Sequence, residues 1–224
     1  MGLPARLSIS IAEASARLVD PVSPIGTLRI GEENINPADL GYTARIPPIV
    51  ILSACETHPL DSSHLTVGGG FLRVGATTVL STASRVDARI AALIIGRLIL
   101  RLSEFVARLP PPFIWSEVIG GLLRMSYTVD VLRALGALPQ VRLRPEDFVR
   151  IHTVANERIN NFLDDWFENL MIDVATASSQ PVNVITDLWR EHAYASESLL
   201  YLQLGNPENV WIVNDGEDPF ERNN

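Results

Sequence analysis

The sequence contains no lysine, so all eighteen of its basic residues are arginines. A coding bias toward high GC content explains this substitution more simply than any special arginine chemistry does. Together with 26 acidic residues, the arginines give a formal net charge of −8. The arginines form no basic cluster in the sequence. A surface for nucleic acid is therefore not expected.

Cysteine is nearly absent as well, since Cys55 is the only one in 224 residues. A single cysteine excludes an internal disulfide framework and fits a reducing compartment. It also leaves a free thiol whose role needs an explanation.

Long hydrophobic runs are missing too. The longest, residues 90–102, is interrupted by Arg97 and Arg101, and residues 1–7 lack the charged start and apolar core of a signal peptide. We therefore expect a soluble cytoplasmic protein with no membrane partner. The 47% hydrophobic content supports a sizeable core.

Three consecutive prolines, residues 110–112, mark the clearest boundary in the chain. Strand patterns mostly precede them and helix patterns mostly follow. The predicted organisation is an α/β core over residues 1–109, a mainly helical extension over residues 113–213, and an acidic tail over residues 214–224.

The most informative run is IVILSACET, residues 49–57, which places Cys55 after an apolar strand. A helix is predicted over residues 67–74 and a second apolar strand over residues 77–82. Strand, helix and strand within about 30 residues are typical of a right-handed parallel βαβ unit. Such a unit presents a nucleophile at the carboxyl end of a strand.

Helical periodicity dominates the rest of the chain. The predicted helices cover residues 87–107, 114–135 and 145–177, with one or two more over 182–202 and a short strand at 210–213. In the first of them the predicted core-facing stripe is Ile90, Leu93, Ile94, Leu98 and Leu102. The aromatic residues predicted to be core are Phe148, Phe162, Trp166 and Phe167.

The cysteine run, followed by GATTVLS at residues 75–81 and by Asp87, resembles the CHAT domain, a bacterial branch of the caspase-like cysteine peptidases. Upstream, SPIGTLRI at residues 23–30 and NPADL at residues 36–40 resemble the segments that precede the cysteine in members of that family. The resemblance covers about residues 7–107. Residues 83 and 84, Ala and Ser, replace a tryptophan common in the family.

This resemblance implies a fold and a mechanism. The fold is a caspase-like three-layer α/β sandwich with a mostly parallel sheet, here followed by a mainly helical half. Cys55 would attack a peptide carbonyl while a histidine at the end of the preceding strand acts as the base. That histidine belongs in a His-Gly pair, but residues 11–16 contain none, and Ala14 or Ser15 stands in its place. The chain resembles an N-terminally truncated or degenerate member.

Three other interpretations of this region stay open. His58 could reach the thiol from the same loop. A zinc site could be formed by Cys55, Glu56, His58, Asp61 and His64, although their spacing fits no standard finger and we expect no metal and no cofactor. Gly68, Gly69 and Gly70 lack the lysine of a phosphate-binding loop, so tight helix packing explains them better.

Two functions follow from these observations. We favour a catalytically impaired interaction or regulatory module that binds a protein or peptide partner. The alternative is an active cysteine endopeptidase that cleaves a protein partner with Cys55 as its nucleophile and backbone N–H groups as its oxyanion hole. The sequence leaves the oligomeric state open.

Overall fold

The structure is a computed structural model, and it describes residues 28–30, 33–37, 39, 45–52, 66–108, 113–161, 163–192 and 196–212. Six α-helices and seven strands lie in these segments. The helices are α1 (Val67–Arg73), α2 (Ala88–Arg108), α3 (Trp115–Gly136), α4 (Pro145–Asn160), α5 (Trp166–Ser178) and α6 (Val182–His192). The strands are β1 (Leu28–Ile30), β2 (Glu33–Ile35), β3 (Ile49–Ile51), β4 (Thr78–Thr82), β5 (Phe113–Ile114), β6 (Tyr201–Gly205) and β7 (Trp211–Ile212).

The strands form three small sheets. β1 and β2 make an antiparallel hairpin, and β5 pairs antiparallel with β7. The largest sheet has the order β3-β4-β6, in which β3 is parallel to β4 and β6 is antiparallel to it. All five residues of β4 are buried, so this strand is the centre of its sheet.

The prediction of a caspase-like three-layer sandwich with a mostly parallel sheet is wrong. Helices make up most of the described residues, and no described sheet has more than three strands. The unbroken apolar character of residues 49–53 predicts a strand that is central in its sheet and buried on both faces. In the described sheet β3 instead lies at an edge, where Ile49 and Val50 are only half-buried.

The local βαβ prediction is confirmed. β3, α1 and β4 follow one another at the predicted places, and Ile49 pairs with Thr78 and Ile51 with Leu80 in parallel register. The predicted helices at 87–107 and 114–135 and the predicted strand at 210–213 also correspond to α2, α3 and β7.

The glycines of α1 are explained by close packing. A Cβ on Gly68 would lie 2.8 Å from Leu204 Cδ1, and a Cβ on Gly70 would lie 2.8 Å from Pro37 Cβ. Both distances are shorter than side chains tolerate. The helix begins at Thr66, whose Oγ1 accepts a hydrogen bond from the Gly69 N–H at 3.0 Å.

Two predictions in the second half of the chain are corrected. The single helix over residues 145–177 is two helices, because α4 ends at Asn160 and α5 begins at Trp166. The connection is rich in Asn and Asp, which favour turns and caps over helix interiors. Residues 201 and 202, the end of the stretch predicted to be helical, instead begin the strand β6, which runs to Gly205.

The core-facing stripe predicted for α2 is partly wrong. Ile94, Leu98 and Leu102 are buried, but Leu93 is 55% exposed. The buried side of the helix is completed by Ala91 and Ile95. The helix is apolar around much of its circumference, so its buried side is displaced from the predicted one.

The chain divides into two compact units. Unit 1 consists of Met1–Ile119 together with Leu200–Asn224, and unit 2 is Gly120–Leu199. One core cluster of unit 1 contains Leu52, Val67, Phe71, Ala76 and Val79. The boundaries predicted from the proline run, 1–109, 113–213 and 214–224, stay a prediction.

The larger buried cluster of unit 2 is formed by α3 to α6. Its members are Val131, Leu132, Leu135, Val141, Ile151, Ala155, Leu170, Met171, Val174, Ala175 and Ile185. Three of the aromatic residues predicted to be core, Phe148, Trp166 and Phe167, are partly buried and pack against this cluster. Phe162 lies outside the described residues.

Candidate functional sites

The segment that precedes Cys55 is described by the structure as far as Leu52, one residue after β3. The Leu52 N–H donates to the Leu80 carbonyl oxygen at 2.8 Å, which extends the parallel ladder past the last strand residue. Leu52 is 3% exposed. The chain is therefore held against β4 as far as residue 52 on its way to the cysteine.

Cys55 itself lies outside the described residues, as do Glu56, His58, Asp61 and His64. The catalytic and zinc-binding interpretations of this loop accordingly stay predictions. Searching the described residues finds no group of three or more His, Cys, Asp or Glu side chains suited to a metal ion.

Ser81 lies beside the end of this ladder on β4. Its side chain is fully buried, and its Oγ has no hydrogen-bond partner among the described atoms. A Cβ on Gly68 would lie 3.6 Å from that oxygen, so the start of α1 packs against it. A buried hydroxyl without a partner is costly and uncommon in native proteins.

The two described histidines both lie in unit 2. His152 is on α4, where its Nε2 is 3.2 Å from Asn156 Nδ2, one turn further along the same helix. His192 is the last residue of α6 and is exposed.

A small cleft lies within unit 2 between α3 and the end of α6. Its lining consists of Tyr127, Asp130, Val131, Ala134, Leu135, Trp189, His192 and Ser196. The volume open to the centre of a water molecule is about 10 Å³, and all the empty space of the cleft, open solvent included, is about 300 Å³. The cleft therefore has room for one group of about the size of a water molecule and opens to solvent.

The aromatic walls of the cleft are fixed by Phe167. Its ring stacks on Tyr127 with 6.0 Å between centroids and meets Trp189 edge-on at 5.1 Å. Trp166 contacts Phe167 from another side at 5.4 Å. Contacts of this kind restrict ring orientation, so the two lining aromatics are held in place before any ligand arrives.

The polar side of the cleft is formed by Asp130 and Ser196. The Ser196 hydroxyl donates to Asp130 Oδ2 and lies 2.6 Å from the Ser198 hydroxyl oxygen. The Ser198 N–H donates to Ser196 Oγ at 3.2 Å, so Ser196 also caps the 3-10 helix Glu197–Leu200. No described arginine or histidine forms an ion pair with Asp130.

Sequence reasoning missed this cleft. Asp130 is a carboxylate within the largely apolar stretch 129–132, and Tyr127 and Ala134 lie three and four residues from it on α3. A charged residue at that spacing on a helix that is otherwise buried is the signal that could have indicated the site.

A carboxylate with a perturbed pKa lies elsewhere, at the start of α4. Arg144 Nε donates to Asp147 Oδ2 at 2.8 Å. This hydrogen bond holds the pKa of the Asp147 carboxyl below its ordinary value, and burial opposes it only in part. Because Asp147 stands in the first turn of the helix, the pair stabilises a helix end and indicates no catalytic role.

None of the described helices combines the length and apolar character needed to cross a bilayer. No family model, no curated protein and no solved structure matches the chain.

Proposed function

We propose that the chain is a cytoplasmic interaction module, descended from a CHAT-like peptidase sequence, that has lost catalytic competence and binds a protein partner. The observation that carries this proposal is the exposed apolar side of α2. Leu93 is 55% exposed, Leu100 is 64% exposed and Ile99 is 43% exposed. Large apolar side chains grouped on one helix are typical of a protein-binding surface.

The geometry of the helix aligns Leu93 with Leu100, and Ile99 borders them about 100° around the helix from Leu100. Leu93 and Leu100 are seven residues apart, which places them on the same side of α2, and the exposed Arg97 lies between them. We name Leu93, Ile99 and Leu100 the α2 face. An amphipathic helix of the partner suits a surface of this shape.

The charge of α2 favours an acidic partner. Arg89 and Arg97 are exposed on the helix, in a chain whose net charge is −8. Opposite charge around an apolar contact raises the association rate and selects the partner. An acidic amphipathic segment of another protein therefore fits the α2 face best.

The loss of catalysis is supported by the sequence before Cys55, which contains no histidine. A free thiol has a pKa of about 8.5 and needs a base or a positive field to react quickly at neutral pH. The lone thiol also supports the cytoplasmic location, because reducing conditions keep it free.

One experiment separates the module from an enzyme. The rate of iodoacetamide labelling at pH 7 is measured on the native chain, with Cys55→Ala as the blank and a free cysteine peptide as the reference. Because Cys55 is the only cysteine, all labelling reports on that one thiol. If the chain is a catalytically impaired interaction module, we expect Cys55 to be labelled no faster than the cysteine of the free peptide.

The active endopeptidase is the second candidate, and the parallel β3–β4 register favours it. That register holds the described chain as far as Leu52 at the carboxyl end of the pair, three residues before Cys55 in the sequence, and α/β proteins place nucleophiles at such strand ends. This candidate predicts labelling well above the peptide rate and loss of the biological output in Cys55→Ala. Either result would overturn the module.

The α2 face is tested by photo-crosslinking in cells that naturally produce the protein. A benzophenone amino acid replaces Leu100, and the matched control replaces Val149, which is also 64% exposed but lies on α4. We expect adducts with a defined acidic segment only from position 100, and their loss when Leu93→Glu is added. Equal adducts from both positions would contradict the assignment.

A further inference from the structure

We propose that the cleft between α3 and α6 binds a primary ammonium group, such as the side chain of a lysine supplied by another molecule. The structure offers three features that such a group needs in one place. These are a carboxylate without an ion-pair partner among the described residues, aromatic walls held by packing, and a cleft with room for one small group. All the lining residues of this site belong to unit 2.

The carboxylate is Asp130. It is half-buried, and its only described hydrogen bond comes from the uncharged Ser196 hydroxyl. No described arginine or histidine forms an ion pair with this carboxylate, although His192 also lines the cleft, so its negative charge is available to a cation. A cation entering the cleft would meet Asp130 directly, and Ser196 holds the carboxylate in place for it.

The aromatic walls add attraction for the same charge. Tyr127 and Trp189 both line the cleft, and Phe167 packs against both rings. An alkylammonium near such rings is attracted to their electron-rich faces. The apolar floor, formed by Val131, Ala134 and Leu135, suits the methylene groups of a lysine side chain.

The size of the cleft selects among organic cations. The volume open to the centre of a water molecule is about 10 Å³, which leaves room for one group of that size inside the cleft while the rest of a ligand lies toward its open side. A primary ammonium has that size, whereas a guanidinium or a trimethylammonium is larger. The chain contains no lysine, so no side chain of a second copy carries the preferred group.

Binding is measured by NMR titration of the full chain with Nα-acetyl-lysine methylamide, following the indole N–H signal of Trp189. The comparison ligands are the norleucine, arginine and ε-trimethyl-lysine analogues. We expect saturable binding of the lysine compound, at about millimolar affinity as is usual for a single small group, and weaker binding of all three others. Equal binding of the norleucine analogue, tighter binding of either bulkier cation, or no saturable binding would overturn the proposal.

Two variants and a control locate the site. Asp130→Asn keeps a hydrogen-bonding group for Ser196 and should weaken binding about tenfold, because the charge is removed. Ala134→Leu keeps the charge of Asp130 but fills part of the cleft with a larger side chain. We expect no saturable binding of the lysine compound to this variant. The control is Asp187→Asn on α6, whose exposed carboxylate already pairs with Arg190 at 3.5 Å.

Circular dichroism first establishes that each variant folds. Loss of binding in either folded site variant with retention in Asp187→Asn supports the site. Unchanged affinity in a folded Asp130→Asn or Ala134→Leu chain, or equal loss in Asp187→Asn, would overturn it.

Discussion

Gly205 shows at the residue scale how one missing side chain permits a strand pairing. It ends β6 at φ +85°, and a Cβ there would lie 2.3 Å from the Thr77 carbonyl oxygen. The neighbouring Asn206 N–H donates to that same oxygen at 3.1 Å. The positive φ and the close backbone approach both require glycine.

We expect Gly205→Ala to lower the free energy of unfolding by about 2–4 kcal/mol, because the new methyl group strains the backbone and displaces the strand end. Urea denaturation gives the value. The matched control is Gly96→Ala, where a Cβ meets open space within α2 and helix propensity should add about 0.5–1 kcal/mol. Equal effects at the two positions would contradict the assigned strain.

Asp147 provides a residue-scale prediction that depends on pH. Its folded pKa is lowered, chiefly by the hydrogen bond from Arg144. The carboxylate therefore contributes stability above the ordinary aspartate pKa, and that contribution is lost as the pH falls through the lowered folded value. Asp147→Asn should reduce the melting temperature at pH 7 and have little effect in strong acid.

Glu146→Gln is the control for this prediction. Glu146 contacts the same arginine at 3.3 Å, but its side chain is 66% exposed. Exposed ion pairs contribute little because water screens them. A melting-temperature difference for Asp147→Asn that stays constant from pH 7 into strong acid would show that the ion pair has no role.

At the scale of elements, α2 offers a matched pair of leucines. Leu98 is fully buried and Leu93 is 55% exposed on the same helix. We expect Leu98→Ala to cost about 2–5 kcal/mol because it leaves a cavity. Leu93→Ala should cost less than about 0.5 kcal/mol, since nothing in the described fold covers that side chain. Chemical denaturation of both variants measures the difference. Equal losses of stability would contradict the assignment of Leu98 to the buried side of α2 and of Leu93 to its exposed side.

Much of the element order was predictable, because most of the helices and several of the strands have a recognisable local periodicity in the sequence. Thr66, Pro145 and the proline run are local signals, and α1, α3 and α4 begin at or near them. The buried side of α2 was not predictable, since Leu93, Ile99 and Leu100 are as apolar as the residues that are buried. Periodicity finds a helix, but tertiary contacts choose its buried face.

β6 and the cleft escaped prediction for a related reason. Residues 201–205 pair with β4, more than 100 positions earlier, and no local pattern records that partner. Asp130 and Ser196 meet across 66 positions. The overall sheet was mispredicted because a resemblance around one cysteine was extended to strands that the described chain does not form.

At the scale of the whole molecule, the second segment of unit 1 completes its largest sheet. β6 pairs with all five residues of β4, from Thr78↔Gly205 to Thr82↔Tyr201. We expect removal of residues 200–224 to abolish amide exchange protection in β4, while α4 to α6 keep theirs because their core lies within unit 2.

Hydrogen exchange read by mass spectrometry compares this truncation with one that removes only residues 213–224. The shorter truncation leaves β6 and β7 in place, so it should retain β4 protection. Retained protection in the longer truncation would mean that β6 is dispensable.

The interposition of unit 2 between the two segments of unit 1 also has a consequence for biosynthesis. The ribosome synthesises β3 and β4 about 120 codons before β6. During that time the edge of β4 that later pairs with β6 has no partner strand. Exposed strand flanks invite intermolecular association. Slow elongation through unit 2 should therefore increase aggregation in the cell and the demand for chaperones, even though the finished protein is unaltered.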